Sequence, residues 1–231
     1  MSVEVPLHGG RITSGVVCVD DEVRRPQRRN ADFAHAVLRS LERRHFAGAP
    51  RFLGVDERGR ERLSYLPGWV APDLDHGAWS DEQLLAASRL IRGFHDTLAA
   101  SPLADGEETV CHNDLGPCNT VHRDGVPYAF IDWDTAAPGP RVLDVAHAVW
   151  RWAITSDTDE LALDEQARRV RLMSEAYGGY EPTALLDAVL ANQDRVIAAA
   201  ITRQDRPSAD WHRGERDWFV TERAAFERAL R

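Results

Sequence analysis

"CHNDLGPCNTVHRDGVPYAFIDWD", residues 111–134, gathers Asp114, Asn119 and Asp132 around two short apolar runs. Carboxylates that cluster in this way are paired, hydrated or holding a cation. Gly116-Pro117 rules out a regular helix between Asp114 and Asn119, so a loop turns both side chains into one space. "TVHRDGVPYAFI" follows, with a turn signal at Asp124-Gly125, and folds back as a hairpin that returns Asp132 beside the loop. Asn119 and Asp132 then face each other as one neutral and one anionic oxygen ligand. Hard oxygen donors carrying little charge suit Mg²⁺, which keeps several waters and takes further ligands from phosphates. Asp114 is left to accept a proton from an attacking hydroxyl, the division of labour that phosphoryl transfer requires.

The rest of the composition narrows the chemistry. All 28 basic residues are arginine. With no lysine there can be no Schiff base and no P-loop lysine, and any phosphate contact from a cationic side chain must be a guanidinium fork. Residues 1–65 carry 12 Arg against 9 Asp and Glu, and residues 66–231 carry 16 against 28. That acidic majority argues against a nucleic-acid partner and tolerates a cationic small molecule. No apolar run is long enough for a membrane span, and "MSVEVPLHGG" has no signal-peptide pattern, so the expectation is a cytoplasmic protein without a membrane partner. Three cysteines, Cys18, Cys111 and Cys118, are then expected as free thiols, and no C-x2-C spacing supports zinc.

Outward from the acidic stretch, two regions differ in periodicity. Residues 1–67 read as a small α+β unit: a Gly-punctuated strand pair over "GGRITSGVVCV" and "EVRRP", then a helix capped by Asn30 with Phe33, Val37, Leu38 and Leu41 at helical spacing. Two more strands follow around Arg58-Gly59, and "LPG" at 66–68 marks the boundary. Residues 68–231 are mainly helical. Ser80 and Gln83 form a capping box before a helix of about five turns. Further helices are expected over 141–155 and about 165–177, 183–203 and 215–230. Asp124 is read as a solvated turn residue, His95, His147, Trp150 and Trp152 as packed core, and Asp134 as support for the metal ligand rather than a ligand. The acidic run "TSDTDELALDEQ" is read as a solvated loop leading into a helix.

"HNDLGPCN…IDWD" resembles the catalytic-loop and metal-loop pair of the aminoglycoside phosphotransferase and choline kinase family, whose pattern is H-x-D-x4-N, about a dozen residues, an apolar pair and Asp. "RGFHDTL", "GPRVLDVAHAV" and "LSYLPG" are similar to its pre-loop helix, post-loop segment and hinge. The resemblance implies an α+β, protein-kinase-like two-lobed fold, with a reduced N-terminal β-rich lobe (1–67) binding nucleotide and a helical C-terminal lobe (68–231) carrying catalytic loop, metal loop and acceptor pocket. It implies Asp114 as catalytic base, His112 as support of the loop, Asn119 and Asp132 as Mg²⁺ ligands, and Asp144 as a brace. Backbone groups around Ser64, Tyr65 and Leu66 would meet the base of ATP or GTP.

The implied activity is transfer of the γ-phosphate to a hydroxyl of a small molecule. Aminoglycosides, other antibiotics, choline-like alcohols and sugars all fit as acceptors. Two departures stand out. The family's phosphate-binding lysine is replaced by Arg24 or Arg25, with Arg24 favoured by its position before "RP" and Asp32 or Glu42 as its helical partner. The glycine-rich loop is reduced to Gly9, Gly10 and Gly15. Both departures favour the rival reading, a catalytically inactive kinase-like binding or immunity protein that sequesters a small molecule or toxin.

Overall fold

A computed structural model describes residues 3–7, 15–72 and 79–231. Gly9 and Gly10 of the reduced glycine loop lie outside the described residues. The chain forms two compact units, Met1–Asp75 with Arg92–Pro140, and His76–Ile91 with Arg141–Arg231.

The first unit holds every described strand. β1 (Val5–Pro6), β2 (Val17–Val19), β3 (Glu22–Pro26), β4 (Phe52–Val55) and β5 (Arg60–Ser64) make an antiparallel sheet in the order β1-β2-β3-β5-β4, with helix α1 (Ala31–Arg43) between β3 and β4. The strands expected over "EVRRP" and on either side of Arg58-Gly59 are present. Val37, Leu38 and Leu41 bury one stripe of α1 at the expected helical spacing. Asn30 stands at the N-cap but makes no capping bond. Its amide is used elsewhere, as shown below.

β6 (Trp69–Val70) pairs with β8 (Thr120–Arg123), which pairs with β9 (Val126–Phe130) in the expected hairpin. Asp124 and Gly125 turn it with φ of 51° and 81°, the left-handed pair that a two-residue loop demands. β7 (Thr109–Cys111) pairs with β10 (Ala137–Gly139). Because "LPG" leads straight into β6, the first compact unit does not end at residue 67. Gly68 has φ 156°, and a Cβ there would lie 2.4 Å from the His122 carbonyl oxygen, so only glycine permits this approach of the chain to β8.

The second unit is helical. Helix α2 (Asp81–Ala99) opens on the Ser80–Gln83 capping box: the Ser80 amide donates to Gln83 Oε1 at 2.9 Å and the Gln83 amide to Ser80 Oγ at 3.3 Å. The helix runs on into the first unit. α3 (Arg141–Ala153), α4 (Leu163–Tyr177), α5 (Pro182–Thr202) and α6 (Arg206–Ala229) follow. α6 begins well before the expected residue 215, because Pro207 is tolerated in a first turn and Asp205 accepts from the Ser208 amide at 3.2 Å. Trp150, Trp152, Leu185, Val189, Phe219 and Phe226 form the core, so both tryptophans are packing residues as expected. No helix among the described residues is long and apolar enough to cross a membrane.

Candidate active site

The acidic stretch folds into two loops laced together by backbone and amide groups, all within the first unit. After β7 the chain turns through Asn113, at φ 67°, and a 3-10 turn at Pro117–Asn119 leads into β8. Asn119 Nδ2 donates to both the carbonyl oxygen and Oδ2 of Asp114, each at 2.9 Å, which orients the Asp114 carboxylate. The Ile131 amide donates to the Asn119 carbonyl at 2.9 Å, so Asp132 follows directly on a residue bonded to Asn119. His112, fully buried, has Nε2 3.0 Å from the Ile131 carbonyl oxygen. Asn113 Nδ2 donates to the Thr135 carbonyl at 2.9 Å, and Thr135 Oγ1 returns a bond to the His112 carbonyl at 2.7 Å. Asp114, His112, Asn119 and Asp132 are thus brought together.

Asp132 sits at φ 62°, ψ 64°, a left-handed conformation that a non-glycine residue holds only against strain. The surroundings supply the restraint. Trp133 Nε1 donates to the Phe130 carbonyl at 3.1 Å, and the Trp133 ring packs edge-on against Phe94. Asn30 Nδ2 donates to the carbonyls of Asp134 at 3.2 Å and Ala136 at 2.9 Å. The residue expected to cap α1 instead pins the loop that follows Asp132 to the start of that helix.

Of the two candidate arginines, Arg25 rather than the favoured Arg24 meets the acidic loops. Alternation along β3 sends the two side chains to opposite faces of the sheet. Arg24 reaches Glu22, 3.4 Å away on its own strand, and Glu22 is also held by Arg62. Arg25 is buried, and its Nη1 donates to Asp132 Oδ1 at 2.9 Å and Asp134 Oδ2 at 3.2 Å. Its Nη2 donates to Asp134 Oδ1 at 2.5 Å, and Nε forms an ion pair with Glu61 Oε1 at 2.6 Å. Burial opposes the charge, but the carboxylates of Asp132, Asp134 and Glu61 more than offset it and hold the guanidinium above its ordinary pKa. Burial, helped by the neighbouring acids, pushes Asp134 up to about 6 against the pull of Arg25. Asp134 thus pairs with Arg25 through both of its carboxylate oxygens.

Glu61, the third anion, was not anticipated from sequence. The expected helical partners, Asp32 and Glu42, are both exposed, and Glu42 pairs with Arg51. Glu61 comes from β5, directly opposite Arg25 in the strand register. Its side chain is 2% exposed and its Oε2 lies 2.7 Å from His35 Nε2. α1 thus contributes His35 rather than an acid, and that ring stacks on Phe52 at 3.7 Å. Both residues carry a sequence signal of one kind, a polar group at a position whose neighbours in period face the core: Glu61 alternates with Leu63, and His35 lies among Ala31, Ala34 and Leu38.

In the segment expected as the hinge, the Ser64 amide donates to the Arg51 carbonyl and the Tyr65 amide to the Asp21 carbonyl, both at 2.9 Å. These two donors are spent within the sheet, which leaves Leu66 as the next backbone step. Asp144 is fully buried in the first turn of α3. In the acidic run, Asp157 caps the Glu160 amide, and Glu165 is bound by Arg168 and Arg169.

The donor set fits Mg²⁺. Asn119 spends its NH₂ on Asp114, leaving the amide oxygen as its donor atom, and Asp132 keeps 38% of its side chain exposed while Arg25 engages one oxygen. A family model for the phosphotransferase enzyme family matches residues 9–186. The chain belongs to this family. It is 30% identical, over 230 aligned residues covering 84% of this chain and 87% of the relative, to a trifolitoxin immunity protein of Rhizobium leguminosarum bv. trifolii. Among solved structures, this phosphotransferase-family chain matches the GDP complex of aminoglycoside 2'-phosphotransferase-IIIa with a TM-score of 0.60 at 11% identity, over 97% of this chain and 93% of that one. It matches the complex of gentamicin with APH(2")-IIa with a TM-score of 0.63 at 13% identity, over 92% and 90%. The fold is kinase-like, with a small antiparallel sheet lobe and a mainly helical lobe.

Proposed function

We propose that this protein transfers the γ-phosphate of a nucleoside triphosphate, ATP in the first instance, to a hydroxyl group of a small molecule. The observation that carries this reading is the Asp114–Asn119–Asp132 assembly, in which Asn119 orients the Asp114 carboxylate and its backbone is tied to the residue before Asp132. Binding alone has no physical need for this arrangement. Mg²⁺ held by Asn119 and Asp132 would gather the charge of the phosphate oxygens. Asp114 accepts the acceptor's hydroxyl proton as its oxygen forms a bond to the γ-phosphorus and the bond to the nucleoside diphosphate breaks. His112 holds the loop by its contact with the Ile131 carbonyl, and Arg25 supplies the cation for the phosphates. The base edge falls to the backbone beyond Tyr65, since the Ser64 and Tyr65 amides are spent. The lobe division at 67/68 is kept as a functional one, nucleotide on one side and acceptor on the other. A cytoplasmic setting goes with this reading, because the reaction consumes a nucleoside triphosphate.

A second reading is favoured by one finding, the relative named as a trifolitoxin immunity protein. Under it the chain sequesters a toxin without chemistry. One experiment separates the two: calorimetric titration of a non-hydrolysable ATP analogue, with and without Mg²⁺, into the wild type and Asp132→Ala. Mg²⁺-dependent binding lost in the variant supports the phosphotransferase, and Asp114→Ala should then lose turnover about 10²-fold or more with its fold intact. A folded wild type that binds neither ATP nor GTP analogues would leave sequestration as the better reading.

A further inference from the structure

We propose that Arg25 is a built-in counter-cation for the metal loop, positioned by Glu61, and that it competes with the divalent cation for Asp132 until a nucleotide draws it away. This rests on the reading of Asn119 and Asp132 as cation ligands. Every nitrogen of the Arg25 guanidinium lies against a carboxylate: Nη1 against Asp132 and Asp134, Nη2 against Asp134, and Nε against Glu61. The same Asp132 Oδ1 cannot accept a short bond from Nη1 and a divalent cation on the same side, and two cations this close repel.

The three contacts are not equivalent. Glu61 is 2% exposed, lies opposite Arg25 in the register and is held at its far oxygen by His35. It grips the stem end of the guanidinium. Asp132 is 38% exposed and closes the accessible end. The Nη atoms can therefore exchange one anion for another while Nε stays on Glu61. Triphosphate oxygens are the anions whose arrival would let Arg25 release Asp132 and the cation take its place. Without nucleotide, the arginine offsets part of the charge of its own acids. Loaded, the same arginine becomes a phosphate ligand, and Glu61 keeps its swing short.

The test is Mn²⁺ binding, read from the free-ion paramagnetic resonance signal, with and without a non-hydrolysable ATP analogue. Wild type should bind Mn²⁺ weakly alone and tightly with the nucleotide. Arg25→Met should bind Mn²⁺ alone at least about tenfold more tightly, because a unit positive charge beside the ligand is gone. Glu61→Gln should do the opposite and weaken Mn²⁺ binding about threefold or more, since the guanidinium then leans wholly on Asp132 and Asp134. Arg28→Met removes a charge 3.9 Å from Asp134, farther than any Arg25 contact, and should stay within about twofold. Loss of a merely structural contact would move the Arg25 and Glu61 variants in the same direction. Should Arg25→Met fail to fold, the isosteric Glu61→Gln carries the test. Tight Mn²⁺–nucleotide binding by wild type, with Mn²⁺-alone affinity unchanged in Arg25→Met or not weakened in Glu61→Gln, overturns the inference and leaves the phosphotransferase reading standing. No Mn²⁺ binding by wild type even with nucleotide removes both.

Discussion

Adjacent arginines on one strand should differ sharply in what they contribute to stability. Arg25→Met leaves Glu61, at 2% exposure, facing Asp134 at 19% and Asp132 at 38% without their shared cation. Stranding one partner of a buried pair costs about 3–5 kcal/mol, and the partial exposure of Asp132 and Asp134 lets water return some of that. A loss of about 3 kcal/mol at pH 8 is expected. Arg24→Met removes a 3.4 Å contact to Glu22, which keeps its bonds from Arg62, and should cost less than about 1 kcal/mol. The Arg25 penalty should also depend on pH. Asp134 lies at about 6 in the fold against an ordinary 3.8, so the folded state holds the extra proton and stability from this group falls as pH rises across that interval. Arg25 pulls Asp134 down, and without it the interval extends above pH 6. The penalty should therefore shrink by about 1 kcal/mol or more between pH 8 and pH 5. Urea unfolding followed by tryptophan fluorescence, to which Trp133 contributes from within the metal loop, measures both variants. Equal costs for the two substitutions, or an Arg25→Met penalty under about 1 kcal/mol at pH 8, would refute the assignment of Arg25 as the shared counter-ion.

Asn30→Asp should destabilise the fold by about 1–2 kcal/mol and weaken Mg²⁺–nucleotide binding, because the carboxylate cannot donate to the Asp134 and Ala136 carbonyls. Aspartate is a good N-cap, so wild-type urea stability in this variant would mean that capping, not donation, is the role of Asn30. Gly68→Ala should cost more than about 2 kcal/mol, since its Cβ meets the His122 carbonyl at 2.4 Å where φ is 156°; thermal unfolding reads this directly. Hydrogen bonds from Arg168, with help from Arg169, hold Glu165 down at about 2. Its contribution is present above pH 4.5 and disappears as pH falls toward 2. Screening at a one-third-exposed site keeps it under about 1 kcal/mol. The stability gap between wild type and Glu165→Gln, measured by urea titration, should close by pH 2 and in 1 M salt.

The acid loop, its hairpin and the helices were legible in the sequence because each depends on neighbours within a few residues. Asp124-Gly125 demands a tight turn, Ser80 and Gln83 cap one another across three positions, and the stripe of Val37, Leu38 and Leu41 follows from the pitch of a helix. The return of Ile131 to the Asn119 backbone was legible for the same reason, since a two-residue hairpin brings the chain back beside its own start. Which arginine of "VRRP" faces the acids was not. Alternation says that the two point to opposite faces, but only the packed sheet says which face is the inner one. Glu61 and His35 were hidden more deeply. A glutamate in "RERLS" reads as a solvated strand residue until the register sets it opposite Arg25, and a histidine on α1 reads as packing until Glu61 arrives beneath it. Asn30 occupied its expected position and performed an unexpected task, because its partners lie more than one hundred residues away in sequence. Local periodicity and turn chemistry are properties of the chain and determined the elements and the acidic loop pair. Burial and strand register exist only once distant segments are packed, and they alone decided which arginine meets the acids and what holds it there.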